Sequence, residues 1–309
     1  MPAGKDDGRL MRLATYASVG TALTLVTVKI GAWAVTDSVA LLSSLVDSLL
    51  DLAASLLNLL AVRQALQPAD REHRFGHGKA EPLSGLGQAA FIAGSAVFLS
   101  FEAVQRLFHP VPLATPDAGI AVMLFSIAVT LGLVRFQKYV VARTRSVAIA
   151  ADKLHYAGDI LINLGVIAAL LASKMFGWSL LDPLFALAIA VYLLISAWRI
   201  MGDSLTLLMD HELAEAERER IIGIVASRDG ALAVHDLRTR SSGPRCFIQL
   251  HVEMERDLPL WRAHEIADAV EKDLMEAFPH AEVMIHQDPS GLVENHPDFS
   301  FETPPRAGT

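Results

Sequence analysis

Residues 45–52 read Leu-Val-Asp-Ser-Leu-Leu-Asp-Leu, which sets two acidic residues inside an apolar segment. Asp47 and Asp51 are four residues apart, and the segment around them is largely apolar from residue 39 to residue 62. Residues four apart lie one above the other on the same face of a helix. Carboxylates at mid-membrane depth are costly, and such groups usually line a bundle interior or an ion path. The stretch therefore predicts a membrane helix whose acidic face turns toward other helices.

A second apolar segment carries the same spacing, with His155 and Asp159 in Leu-His-Tyr-Ala-Gly-Asp. Depth along each helix can be measured from the basic residue at its end, at a rise of about 1.5 Å per residue. On this measure Asp51 and His155 lie at about 18 Å and 15 Å, and Asp47 and Asp159 at about 24 Å and 21 Å. The two pairs therefore match in depth, Asp51 with His155 and Asp47 with Asp159. One imidazole nitrogen and three carboxylates would complete a tetrahedral shell for a divalent metal.

The composition is that of a membrane protein. The chain has 309 residues, of which 52% are hydrophobic, and its mean hydropathy is +0.39; a soluble domain of this size does not need so much apolar content. The formal net charge of −8 argues against a nucleic-acid partner, which would favour a basic face. Cys246 is the only cysteine, which rules out an internal disulfide and any multi-cysteine metal site. A metal site must therefore use histidines and carboxylates.

Six segments are long and apolar enough to cross a bilayer, which takes about 20 residues in a helix. They are residues 13–35, 39–62, 82–108, 118–141, 147–176 and 180–201. Lysine and arginine collect before the first span and in the second and fourth loops, so the positive-inside rule places both termini in the cytoplasm. The polar residues 1–12 lack the apolar core of a signal peptide, so the first span is expected to remain in the protein.

Beyond residue 208 the sequence changes to that of a soluble domain. Helical patterns at 214–227 and 259–278, with strand patterns at 232–240, 245–255 and 282–286, predict an αββαβ order and a small sheet covered by helices. Alternation in the second strand places Cys246 on its apolar face and His251 on its polar face. Residues 291–309 are polar and contain prolines, which predicts a disordered tail. The expected domains are thus a cytoplasmic N-terminal tail at 1–12, a transmembrane domain at 13–208, a cytoplasmic domain at 209–290 and the tail.

Five motifs occur in order along the chain. They are Asp-Ser-Leu-Leu-Asp at 47–51, Gln-Pro-Ala-Asp…His…Phe-Gly-His-Gly-Lys-Ala-Glu at 67–81, Leu-His-Tyr…Asp at 154–159, His-Asp-Leu-Arg-Thr-Arg at 235–240 and Ile-His-Gln-Asp-Pro at 285–289. With these motifs the chain resembles the cation diffusion facilitator family, and within it the bacterial ferrous-iron and zinc efflux branch. The resemblance implies six transmembrane helices and a cytoplasmic, metallochaperone-like αββαβ domain of ferredoxin-like fold. It also implies a homodimer in the bacterial inner membrane that exports divalent metal against protons by alternating access.

The resemblance assigns roles to individual residues. It implies a transport site of Asp47, Asp51, His155 and Asp159, a loop metal site of Asp70, His73 and His77, and a binuclear cytoplasmic site at the dimer contact of His235, His251, His264, His286 and Asp288. Lys79 and Asp210 match an ion pair that couples the two domains in the family. Zinc is the implied metal, both transported and structural, with iron(II) and cadmium as further candidates. The partners implied are a second copy of the chain, membrane lipid and protons.

Judged by residue spacing alone, other interpretations stay open. Each polar group within the membrane could simply bond a neighbouring helix. Asp70, His73 and His77 could belong to an ordinary solvated loop, in which Gly76 lets the backbone bend. Single histidines of the soluble domain are more often plain surface residues than metal ligands.

Two other classes of function compete with a transporter. A membrane-embedded, metal-dependent hydrolase would need an open site for an activated water and usually a signature such as His-Glu-x-x-His, which the sequence lacks. A membrane-anchored metal sensor would bind metal in its soluble domain, but it would not explain ligands at mid-membrane depth. We therefore expect a transporter and not an enzyme.

Overall fold

The computed structural model describes residues 5–36, 39–108, 117–176, 181–243, 245–279 and 281–291, and these form two compact units. The first unit runs from Lys5 to Leu208, and the second begins at Met209. The first unit consists of six long helices. They are α1 (Lys5–Thr36), α2 (Val39–Ala65), α3 (Ala80–Phe108), α4 (Asp117–Thr144), α5 (Val147–Phe176) and α6 (Leu181–Leu208). The tail predicted to be disordered lies, from residue 292 onward, outside the described residues.

Five of these helices contain a described stretch that is long and apolar enough to cross a membrane. They are the stretches Asp6–Val35 in α1, Ser44–Ala65 in α2, Ala80–Gln105 in α3, Ile120–Thr144 in α4 and Pro183–Leu208 in α6. The remaining helix, α5, has 30 residues, enough to span the hydrocarbon core, and carries the ionisable pair His155 and Asp159. The predicted class, a helical membrane protein with a C-terminal soluble domain, is confirmed.

The helices extend beyond the apolar segments at several ends. α1 begins at Lys5 rather than at residue 13, and α6 continues to Leu208 rather than ending at residue 201. Hydropathy marks where apolar side chains stop, whereas helical hydrogen bonds continue into polar residues outside the hydrocarbon layer. In α1 the first turn contains Asp6 and Asp7, whose negative charges favour a helix N-terminus.

Close helix packing brings α5 against its neighbours. α5 contacts α2, α3, α4 and α6 as well as α1. At Gly158 an added Cβ would lie 2.9 Å from Leu193 Cδ2 of α6, too close for a side chain to fit without a shift. Small residues allow membrane helices to approach in this way. The absence of a side chain at Gly158 therefore helps to fix the position of the neighbouring Asp159.

Buried polar contacts hold α5 in register with α1, α2 and α4. Ser55 Oγ of α2 lies 2.8 Å from Tyr156 Oη of α5 and 3.0 Å from Ser18 Oγ of α1. Gln137 of α4 donates from Nε2 to Asp152 Oδ2 of α5, at 2.6 Å. Polar groups with few partners in hydrocarbon bond across helices, so these contacts specify how α5 sits in the bundle.

The N-terminus of α5 is capped from two sides. Its first residue, Val147, donates a backbone N–H to Glu81 Oε1 of α3 at 3.0 Å, and Ile149 N–H donates to Ser146 Oγ at 3.2 Å. Glu81 is buried, so its carboxylate meets the N-terminal amides of α5 with little competition from water. This contact joins the start of α3 to the start of the helix that carries His155 and Asp159.

The second unit contains two helices and one three-stranded sheet. Its elements are α7 (Glu215–Ala226), β1 (Ala233–Ser242), β2 (Arg245–Met254), α8 (Leu260–Ala277) and β3 (Ala281–Pro289). The sheet order is β1-β2-β3, with β1 and β2 antiparallel and β2 and β3 parallel. Its core joins Ile221 of α7, Ile248 and Leu250 of β2, and Val270 and Leu274 of α8. The αββαβ order predicted from the sequence is confirmed.

Cys246 lies on the buried side of β2, as the alternation predicts, with only 4% of its surface exposed. Burial raises the pKa of this thiol from about 9 to about 11. The thiolate is the reactive form, so at pH 8 the folded protein should hold about 100-fold less of it than the unfolded chain. We expect a maleimide to label the folded protein at least about 100-fold more slowly than the urea-unfolded protein. Because Cys246 is the only cysteine, equal labelling rates would contradict its burial.

Candidate metal centres

The first cluster of possible metal ligands lies between α2 and α5. His155 Nε2 of α5 is 3.0 Å from Asp51 Oδ1 of α2, and both side chains are mostly shielded from solvent. Asp159 lies one turn further along α5 on the same face as His155, and Asn163 Nδ2 donates to its backbone carbonyl at 2.8 Å. One ligand atom from each of Asp51, His155 and Asp159 lies within 4.8 Å of the other two.

Such a group can close on a small divalent cation with modest movement. Ligand atoms of a tetrahedral zinc site stand about 2.0–2.2 Å from the metal and hence about 3.4 Å from one another. Because no two of these ligand atoms are more than 4.8 Å apart, the movement needed is small. The pairing of Asp51 with His155 agrees with the depth predicted from the sequence. Asp47 does not belong to this three-residue cluster, and its side chain is exposed on α2. Asp47 is thus the one predicted transport ligand that the structure does not bring together with the others.

A basic residue that the sequence analysis did not single out lies beside this cluster. Lys29 of α1 donates from Nζ to Ser48 Oγ at 2.7 Å and to the carbonyl of Ser44 at 3.0 Å. Both acceptors belong to the part of α2 that carries the acidic pair. The only sequence signal for it was a charged residue within an otherwise apolar span.

The second cluster lies in the loop between α2 and α3. His73 Nδ1 and His77 Nε2 lie 3.3 Å and 3.4 Å from the two carboxylate oxygens of Asp70. One ligand atom from each of the three residues lies within 4.8 Å of the others, so the loop brings together all three residues that the resemblance implied. Gly76 has a φ of 80°, a conformation that glycine adopts without strain and that lets the loop turn back between the two histidines.

Backbone donors keep the loop carboxylate ionised. The N–H groups of His73 and Glu72 donate to Asp70 Oδ1 at 2.6 Å and 2.9 Å. These hydrogen bonds hold the pKa of Asp70 below its usual value. The carboxylate is therefore available to a cation even in mildly acidic solution.

The third cluster forms a row of histidines across the sheet of the soluble unit. Strand register places His235 of β1 opposite His251 of β2, and His251 opposite His286 of β3. Neighbouring strands stand about 4.8 Å apart, so side chains in one row on the same face are close. The ring centroids are 5.1 Å apart for His235 and His251 and 4.6 Å apart for His251 and His286.

Asp288 connects this row from its own position in β3. Its Oδ2 lies 2.8 Å from His251 Nδ1 and 3.4 Å from His235 Nε2, while its Oδ1 lies 3.1 Å from His286 Nε2. With only 5% of its side chain exposed, the carboxylate presents its two oxygens to different imidazoles. A carboxylate placed in this way can serve two metal positions, which fits the binuclear site that the resemblance implies.

His264 occupies a different surface of the soluble unit. It lies on α8 with 66% of its side chain exposed, and its Nε2 is 3.4 Å from Asp268 Oδ2 of the same helix. Within the described residues it is not among the side chains that meet at Asp288. The structure therefore brings together four of the five residues implied for the binuclear site.

An additional acidic side chain borders the histidine row, and sequence reasoning did not single it out. Asp236 Oδ2 lies 3.8 Å from His251 Nε2, at the point where the pairing of β1 with β2 shifts between His235 and Arg238. Its φ of 49° is a conformation in which aspartate is enriched among non-glycine residues. The irregularity of β1 thus adds a carboxylate to the edge of the cluster.

Each residue of the expected inter-domain ion pair makes a contact within its own unit. Lys79 donates from Nζ to the carbonyl of Leu208, at 3.0 Å, within the helical unit. Asp210 has a φ of 56°, and its Oδ1 lies 3.3 Å from Arg240 Nη1 within the soluble unit. The direct pairing of Lys79 with Asp210 stays a prediction.

Comparison with known proteins identifies both units. Residues 15–209 match the model of the cation efflux transmembrane domain, and residues 213–290 match that of the cation efflux protein cytoplasmic domain. The chain is 49% identical over 286 residues to the cation-efflux pump FieF of Salmonella choleraesuis (strain SC-B67), which covers 93% of this chain and 95% of the pump. The FieF pump of Salmonella typhimurium (strain LT2) matches with the same identity and coverage.

A solved structure of CzrB, a proposed zinc transporter, is 41% identical to this chain, covers 26% of it and 99% of the solved chain, and has a TM-score of 0.25. The family models cover most of the sequence, and the FieF pumps resemble it over almost its whole length. Proteins of this kind move ions and catalyse no chemical conversion. The chain therefore belongs to the cation efflux family, the cation diffusion facilitators, as a membrane transporter of divalent cations.

Proposed function

We propose that the protein exports zinc from the cytoplasm in exchange for protons, by alternating access. The observation that carries the proposal is the convergence of Asp51, His155 and Asp159 between α2 and α5. Imidazole and carboxylate groups suit zinc and also iron(II), so iron(II) is proposed as a further cargo. Cadmium is proposed as a third cargo on the family resemblance.

The chemistry of the three ligands supports proton exchange. Carboxylates gathered in a dry site cannot all stay ionised unless a cation or protons offset them. Metal binding needs a neutral imidazole nitrogen and ionised carboxylates, so it releases protons, and protonation in turn releases metal. Asp47 stays the predicted fourth ligand; it would have to turn toward the other three, or water would take that position.

We further propose that the protein works as a homodimer held partly by metal in the soluble domain. Asp288, with its oxygens facing His251 and His286, supports a site that holds structural zinc. His264, exposed on α8, is free of the cluster in one protomer and is therefore proposed to complete the site in the assembled dimer. The loop cluster at Asp70, His73 and His77 is proposed as an accessory zinc site.

The proposed location is the bacterial inner membrane, with lipid around the six helices and both termini in the cytoplasm. The distribution of lysine and arginine between the loops supports this orientation.

The Lys79–Asp210 ion pair is proposed to couple the soluble domain to the membrane domain. Exposed ion pairs are individually weak, so its role would be to guide orientation rather than to add stability.

Reconstitution into liposomes tests the function. We expect that a proton gradient with the interior acidic will drive zinc uptake from the medium, and that zinc added without a gradient will move protons outward. Protein-free liposomes supply the control. Zinc flux that leaves the internal pH unchanged would contradict proton exchange, and a correctly inserted protein without zinc flux would instead favour the metal-sensor function.

A further inference from the structure

Lys29 places a basic side chain beside the transport site. It lies in α1 within an apolar stretch, where an ionised side chain is costly unless it has partners. Its Nζ donates to Ser48 Oγ and to the carbonyl of Ser44, so the ammonium is anchored on α2. Ser48 directly follows Asp47 and precedes Asp51 by three residues, which is nearly one turn. The anchor therefore lies within the turn that bears the acidic pair.

The charge of Lys29 acts on the acidic groups from both helices of the site. It interacts electrostatically with Asp51 and Asp47 of α2 and with Asp159 of α5. His155 shares the cluster with two of these carboxylates, and Glu102 of α3 acts on Asp47. The three aspartates that Lys29 acts on carry three negative charges when ionised, and the ammonium offsets one of them.

We propose that Lys29 is a built-in counter-ion that lowers the affinity of the transport site for divalent metal and so allows the metal to leave. The inference rests on the proposed function and adds a residue that tunes it. A cation that enters between Asp51 and Asp159 is repelled by the ammonium, and in a low-dielectric site this repulsion is strong. A transporter has to release its cargo, so moderate affinity serves turnover better than the tightest binding does.

Zinc binding to the full-length protein in detergent, measured by chelator competition at pH 8, tests the proposal. The zinc that the wild-type protein binds and the Asp51→Ala protein does not bind defines the transport-site component. For Lys29→Met we expect this component to bind at least about tenfold more tightly, because the repulsion is removed. We also expect zinc flux in liposomes to fall at least about tenfold, because release slows. Lys29→Arg keeps the charge and should stay within about threefold of wild type in affinity.

The sign of the change separates this role from a structural one. If Lys29 only ties α1 to α2, Lys29→Met would leave zinc affinity unchanged or weaken it, and either result overturns the proposal. Lys138→Met, which alters an exposed lysine of α4, serves as the matched control and should change neither affinity nor flux. If the Asp51→Ala protein binds as much zinc as wild type, the assignment of the transport site is wrong, and the proposal for Lys29 is overturned with it. Failure of the transport site would be seen in protein with Lys29 intact, so it can be distinguished from failure of the proposal for Lys29.

Discussion

Asp51→Ala and Asp159→Ala are each expected to abolish zinc-driven proton movement in liposomes while the protein still inserts and folds. Each change removes one of three converging ligand atoms and leaves His155 with a single carboxylate partner. Loss of a residue that only hydrogen-bonds to a metal ligand already lowers metal affinity by about 10–100-fold. Loss of a ligand itself should therefore lower zinc affinity by at least about 100-fold. Flux should therefore fall to the level of protein-free liposomes.

Asp203→Ala is the matched control for these variants. It removes an exposed carboxylate from α6, which contributes none of the three clustered ligands. We expect the zinc-driven proton flux of Asp203→Ala to match that of wild type. If the loss of any negative charge reduced this flux, Asp203→Ala would show the reduction as well. Wild-type flux in a properly inserted Asp51→Ala or Asp159→Ala protein would remove both residues from the transport site.

The second large effect is expected in the soluble domain, residues 209–290. Its own hydrophobic core, built from α7, α8 and β2, supports study of the domain in isolation. If zinc binds the dimer and not the monomer, free zinc at 100 times its dissociation constant should tighten dimerisation by about 100-fold for each zinc bound, and hence by at least about 100-fold in total. Asp288→Ala should eliminate this difference, because its carboxylate is the group that His235, His251 and His286 share.

Sedimentation measured with zinc and with chelator gives the dimer affinity directly. Asp257→Ala, at an exposed position in the turn after β2, should retain the full effect of zinc. Equal dimer affinity of the wild-type domain with zinc and with chelator would contradict a metal-dependent dimer contact.

The sequence predicts the membrane helices well because their signal is local. The apolar residues predict a fifth span at 147–176, and α5 has those bounds. The helical patterns at 214–227 and 259–278 also agree within one residue at each end with α7 and α8. Errors lie at ends such as that of α6, where the predicted span stops at residue 201 but the helix continues through Gly202 and Asp203 to Leu208. A short polar stretch lowers the local hydropathy without ending the helix.

Depth along a helix is predictable, but rotation about its axis is less so. Counting residues from the basic ends matched Asp51 with His155, and the structure has these side chains 3.0 Å apart. The same count matched Asp47 with Asp159, yet Asp47 stands outside the cluster. Four residues turn about 40° beyond a full helical turn, so two residues of one face can point to different neighbours. Only the packing of α2 against α5 decides which of them faces the site.

Register across a sheet is a second property that the sequence leaves open. Alternation predicts His251 on the polar face of β2, but it does not predict which residues of β1 and β3 pair with it. That pairing aligns His235, His251 and His286 in one row. Lys29 illustrates the same gap, since its contact with Ser48 depends on how α1 packs on α2. Long-range contacts of this kind carry no periodic signal in the chain.

Anomalous diffraction from zinc-loaded crystals of the full-length protein shows whether Asp51, His155 and Asp159 bind zinc together. We expect a zinc peak between α2 and α5, about 2.0–2.2 Å from His155 Nε2 and from a carboxylate oxygen of both Asp51 and Asp159. A zinc peak at Asp288 in the same crystals would show that metal is present and bound. If that peak appears while the density between α2 and α5 carries no zinc, the assignment of Asp51, His155 and Asp159 as the transport site is contradicted.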